Sequence, residues 1–161
     1  MRVLFLLAAF LVSGAFQPVS AAESCYSNIE AEAEQGIRIH SELMVIGLNC
    51  QHIGTRFNKN LYGAYRDFTS RHASLFATYE KALLDFFVGR GDSKPEASLN
   101  SLRTSFANKI SNDAASMRPD VFCARYAERI EKASTMEKND VRRWAATFYP
   151  SHPVSYPLCE G

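Results

Sequence analysis

Apolar side chains recur at intervals of three and four along most of this chain, the signature of helices with one face turned inward. Ile29, Ala33, Ile37, His40, Met44, Gly47 and Leu48 mark a first segment, with Ser27 or Asn28 placed to cap its start and early glutamates suited to the positive helix end. A second segment is richer in aromatics. It runs through Phe57, Leu61, Tyr65, Phe68, His72, Leu75, Phe76, Tyr79, Leu83, Phe86 and Phe87 as one helix, stopped by Gly89 and Gly91. Ser93-Lys94-Pro95-Glu96 reads as a capping box opening a third segment through Leu99, Leu102, Phe106, Ile110 and Ala114. Pro119 opens a fourth, with Phe122, Tyr126, Ile130 and Ala133. A short fifth, capped by Asn139 or Asp140, carries Val141, Trp144, Ala145 and Phe148. No stretch alternates with period two for long enough to predict a strand. The expected fold is all-α, an antiparallel helical bundle of four main helices plus a short C-terminal helix and an extended tail.

The first 21 residues follow a different rule. Arg2 precedes an unbroken apolar run of ten, Val3 to Val12, and Val19-Ser20-Ala21 offers a small-residue cleavage site. The run is short for a membrane span. No twin arginine precedes it, and Cys25 does not stand where a lipoprotein signal needs a cysteine. Residues 1–21 are therefore read as a cleaved secretory signal peptide, 22–149 as one helical-bundle domain, and 150–161 as a proline-rich tail. The mature chain is expected in a periplasmic or extracellular compartment, with no stable membrane insertion after cleavage.

Export changes the reading of the four cysteines, since an even count in an oxidising compartment points to disulfides. A helix over residues 27–48 holds Cys25 and Cys50 roughly 35 Å apart, whereas a bridge needs Cα atoms within about 7 Å. Tracing antiparallel neighbours sets Cys50 beside Cys123. Cys25 and Cys159 are left to pin the tail near the N-terminus.

Charge narrows the choice of partner. The chain has 18 basic and 17 acidic side chains, which removes the electrostatic argument for nucleic acid. Residues 23–50 are acidic and residues 51–91 basic, as neighbouring elements that attract one another would be. Glu30, Glu32 and Glu34 read as a solvated helix start. Arg90-Gly91-Asp92 spells an adhesion tripeptide, but Gly91 is already needed to stop a helix.

Catalytic motifs are missing from the sequence: it has no Gly-rich phosphate loop, Gly-x-Ser-x-Gly elbow, His-Glu-x-x-His or Cys-x-x-Cys. No cofactor is expected, and an enzyme built around His72, Tyr65 and Arg71 is the weakest of three readings. His40 and His72 fall on apolar stripes. A hairpin turning near residues 55–56 would set them level, with Met44 one turn from His40. Imidazole with thioether suits copper, and two imidazoles with a carboxylate suit zinc. No third strong ligand stands at that level, and hydrogen bonding to tyrosine or backbone is the plainer use of such histidines. Tyr65, Phe68, Phe76 and Tyr79 are core residues that double as a candidate apolar pocket. The leading expectation is a non-enzymatic, disulfide-stabilised binding protein whose partner is an envelope protein or a hydrophobic small molecule. A metal-binding bundle using His40 and His72 is the alternative.

Overall fold

The computed structural model describes residues 25–53 and 60–160. The leader read over residues 1–21, the turn at 55–56 and Phe57 lie outside them. Six helices make up the described chain: α1 (Asn28–Cys50), α2 (Leu61–Arg71), α3 (Ala73–Gly89), α4 (Pro95–Ser116), α5 (Pro119–Ser134) and α6 (Lys138–Ala145). The fold is all-α, and the only β pairings among the described residues are isolated bridges.

Helix α1 starts at a reciprocal cap. The Ser27 hydroxyl accepts from the Glu30 N–H at 3.4 Å, and the Glu30 carboxylate accepts from the Ser27 N–H at 2.6 Å. From there α1 runs through the middle of the molecule, with each of the other five helices packed on it. A helix walled on every side shows no single apolar stripe. Its buried set includes Ala31, Ala33, Ile37, Ile39, Leu43, Val45 and Ile46, together with Glu34, Gln35, Arg38, Ser41 and Glu42. Ile29 and Leu48, expected on an inward stripe, are instead 69% and 42% exposed, since both lie near the ends of the helix.

Close approach to α1 depends on its small residues. A Cβ at Gly36 would stand 2.3 Å from Cε2 of Tyr79 on α3, and one at Gly47 would stand 3.3 Å from Cβ of Tyr65 on α2. Contact of that kind leaves no room for a methyl group.

The second expected helix is two. His72 sits at φ −105°, ψ 14°, off helical geometry, between α2 and α3. Its neighbourhood accounts for the break: Arg71 donates to the carbonyl of Ser134, and the His72 Nε2–H donates to that of Met136 at 3.1 Å. Both reach the link between α5 and α6. The backbone bonds His72 N–H to Phe68 O and Phe76 N–H to His72 O carry on across the break, so the apolar periodicity gives no sign of it.

Helix ends also differ from expectation. Gly91, at φ +79°, closes α3: its N–H bonds Val88 O, and the Asp92 N–H bonds Phe87 O. The Asp92 carboxylate then accepts from the Lys94 N–H at 2.7 Å and from the Ser98 hydroxyl. Lys94 stands at the N-cap of α4 without a side-chain cap bond, so Ser93 forms no capping box, and two residues of the adhesion-like tripeptide are occupied in the α3–α4 connection. At α6, Asp140 accepts from the Glu137 N–H at 3.0 Å, placing the cap at Glu137. Phe148 falls beyond this helix and is 40% exposed.

Two disulfides join distant parts of the chain. Cys50 at the end of α1 is bonded to Cys123 in α5, with Cα atoms 5.6 Å apart, and Cys25 to Cys159, with Cα atoms 5.0 Å apart. Bridges closing loops of 73 and 134 residues restrict the unfolded chain and typically contribute about 2–4 kcal/mol each. Beside the second bridge the Tyr26 N–H bonds Pro157 O at 2.7 Å, and the Cys159 N–H bonds Tyr26 O at 2.9 Å. The rings of Tyr26, Phe86 and Tyr156 meet edge to face within 5.0 Å.

Gly36→Ala is expected to lower stability by about 1–3 kcal/mol, as overpacking of a filled core does. Denaturant midpoints measure it, with Gly89→Ala as the control because a Cβ there meets nothing within 4 Å. Equal midpoints for the two variants would contradict the close α1–α3 contact.

A basic cleft between the central helix and the C-terminal strap

Gln35, Arg38 and Glu42 lie three and four residues apart on α1, and so share a face. The tail crosses that face, and the polar side chains of α1 bind its backbone. The Glu34 carboxylate accepts from the Ser155 N–H with both oxygens, at 2.9 and 3.1 Å. The Gln35 side-chain amide donates to His152 O at 2.8 Å, and Arg38 Nη2 donates to Pro153 O at 2.8 Å. From α4, Lys109 donates to Ser151 O at 3.1 Å. Residues 151–155 are thus a strap laid on α1, held through main-chain atoms.

Under the strap is a cleft of about 330 Å³, walled by Gln35, Arg38, Ile39 and Glu42 of α1, Arg129 of α5, Trp144 of α6, and Thr147, Tyr149, Ser151 and His152. Arg129 Nη2 meets Glu42 Oε2 at 2.6 Å. Arg38 is 93% buried, stacked 4.1 Å from the centre of the Phe106 ring, and 3.6 Å from Glu34. Its Nη2 is engaged, whereas its Nε is buried without a partner. A buried guanidinium N–H left unpaired is costly, and Arg38 bears it at the wall of a cavity.

Burial shapes the ionisation of these groups. It raises the Glu34 pKa above the usual carboxylate range, opposed by the Ser155 N–H and by Arg38. It lowers that of Arg38, opposed by Glu34 and Glu42, though a guanidinium stays charged at neutral pH. His152 is pushed below the ordinary imidazole range, first by burial and then by Lys109, with Glu42 opposing. Its Nδ1 lies 2.8 Å from the Ser151 hydroxyl. Glu34 is fully buried, which corrects the reading of Glu30, Glu32 and Glu34 as a solvated start. Glu32 is also committed: its carboxylate accepts from Arg142 at 2.9 Å and from the Tyr79 hydroxyl at 2.8 Å.

The residues singled out by sequence lie elsewhere. His40 Nε2 is 3.2 Å from the Tyr65 hydroxyl, its ring packed on Tyr65 and Phe76. His72 bonds the Met136 carbonyl and packs on Phe68. The two imidazoles do not face one another: Phe76 and Phe68, in contact at 5.8 Å, form the link between them. The break at His72 turns its ring toward the α5–α6 link instead. Met44 is half-buried against the core. Among the described residues, no three His, Cys, Asp or Glu side chains form a group that could hold a metal ion. Tyr65, Phe68, Phe76 and Tyr79 are all buried, with Phe76 packed on both Phe68 and Tyr79.

The cleft escaped the sequence reading because its residues come from α1, α5, α6 and the tail. The available signal was the run Glu34, Gln35, Arg38 and Glu42 inside an otherwise apolar helix. Comparison with family models, curated proteins and solved structures yields no match, so the geometry carries the functional reading.

His40 ties pH to stability. Burial, then Arg103, hold its pKa below the usual value, with Glu80 opposing. A depressed pKa means that its contribution is present above about pH 6.5, the unfolded value, and is lost as pH falls through the folded one. His152 acts in the same direction, while the raised pKa of Glu34 acts in the opposite one, stability from it being lost as pH rises. The melting temperature of His40→Gln is therefore expected to fall less steeply than that of the native chain between about pH 7 and pH 5. Parallel curves would contradict a neutral, partly buried His40.

Proposed function

We propose that the chain is an exported antiparallel bundle that binds a small molecule in the cleft beneath the strap, without chemistry of its own. The observation that carries this reading is Arg38: a nearly fully buried, only partly paired cation lining a cavity of about 330 Å³. Cavities of that size accept small ligands and combine apolar walls with a few placed polar groups, as Trp144, Ile39 and Tyr149 do beside Arg38 and Gln35.

Binding suits the cleft better than catalysis. Glu42 is paired with Arg129 and the Gln35 amide with the strap, so these groups position the walls. A small molecule also suits it better than a protein partner. Among the described residues, no two of the large exposed apolar side chains Ile29, Leu48, Val88, Val121 and Leu158 are adjacent in sequence. Phe148 and Tyr149 are the adjacent pair, and Tyr149 already belongs to the cleft.

Protein-observed NMR with a mixed set of neutral, cationic and anionic fragments tests the reading. Shifts are expected on the Trp144 indole and the α1 residues of the cleft. Thr147→Trp, which fills the mouth from an exposed position, is expected to abolish them without changing the melting temperature. Shifts that persist in Thr147→Trp, or that gather elsewhere on the chain, would contradict it.

A further inference from the structure

We infer that the ligand of this cleft is a small organic monocarboxylate with a flat apolar body, an inference that rests on the cleft being the binding site. Charge is the first ground. Arg38 and Arg129 line the cleft and Lys109 holds the strap at its mouth, against Glu42 in the wall and Glu34 behind it. One positive charge is left in excess, which suits a monoanion, and Glu42 disfavours a second negative charge.

Donor geometry is the second ground. Only Nη2 of Arg38 and only Nη2 of Arg129 are engaged with protein acceptors. Two arginines therefore line the cleft with N–H donors that no protein acceptor uses. Arginine forks match the two oxygens of a carboxylate, with charge-assisted bonds about twice as strong as neutral ones.

The walls are the third ground. Trp144 and Tyr149 present aromatic surface and Ile39 aliphatic surface to the same space, which places an apolar body beside the anionic group. Strong hydration of a phosphate or sulfate is poorly replaced by such walls.

Benzoate, benzamide and benzylamine share one ring and differ in charge, so they separate the carboxylate claim from the cleft itself. Calorimetry on the intact oxidised chain is paired with emission from Trp144, the one tryptophan in the sequence. Benzoate is expected to bind at least about tenfold more tightly than benzamide and to change the Trp144 emission. Arg129→Gln, in a partly exposed position, is expected to erase that advantage, bringing benzoate to the affinity that the same variant shows for benzamide. Arg38→Lys gives a second reading that keeps the charge and loses the fork. Equal affinity for the three compounds, with Trp144 responding, would overturn the carboxylate assignment and leave the cleft as the binding site. A benzoate advantage that survives in both variants would overturn it too. No binding by any of the three would overturn both proposals.

Discussion

The carboxylate of Glu34 sits in the wall of a central helix with none of its surface exposed, and the rest of the architecture follows from how it is accommodated. Taking such a group out of water costs several kcal/mol unless hydrogen bonds and an opposite charge replace its hydration. Here the replacements are the Ser155 N–H, shared by both carboxylate oxygens, and Arg38 one turn along α1. The Ser155 N–H is available only while the C-terminal strap lies on the helix. The Cys25–Cys159 bond and the backbone pairing of Tyr26 with Pro157 and Cys159 fix that strap beside the start of α1. A proline-rich tail that would otherwise fray is thus ordered on the surface of the helices, and Tyr156, partly buried, packs against Tyr26 and Phe86.

The same arrangement makes the cleft. Polar side chains on α1 bind the strap backbone, which leaves a partly used guanidinium lining the cleft beside the strap. Arg129 and Trp144 complete it from α5 and α6. These two helices are tied to α1 by the Glu42–Arg129 and Glu32–Arg142 pairs, and α5 also by the Cys50–Cys123 bond. Stability and binding therefore draw on one set of contacts. A rigid wall of this kind holds the cations ready before the ligand arrives, which lowers the ordering cost of binding.

Sequence periodicity places most of the helices because each outer helix has one buried face, as the spacing of Leu99, Phe106 and Ile110 shows. It reads α1 less well, because a helix surrounded on all sides breaks the amphipathic rule. Ala31, Ala33, Gly36 and Gly47 mark that crowding in the sequence, and Glu34, Arg38 and Glu42 hide it by looking like a solvated face. The break at His72 leaves no trace in the apolar pattern because the i to i−4 bonds run across it. Glu42 and Glu32 of α1 find their cationic partners on α5 and α6, and Glu34 finds Arg38 on α1 itself, not in the basic stretch 51–91. The cleft was illegible for a related reason: His152 and Ser151 reach it only through the path of the tail, which composition alone does not fix.

Residue-resolved hydrogen exchange of the oxidised chain tests the strap most directly. The amides of Ser155 and Cys159, bonded to the Glu34 carboxylate and to Tyr26 O, are expected to exchange as slowly as amides in the middle of α1, opening only with the whole fold. If Ser155 exchanges at the rate of an unstructured peptide while α1 stays protected, the strap is not held on α1, and neither the burial of Glu34 nor the cleft built on it stands.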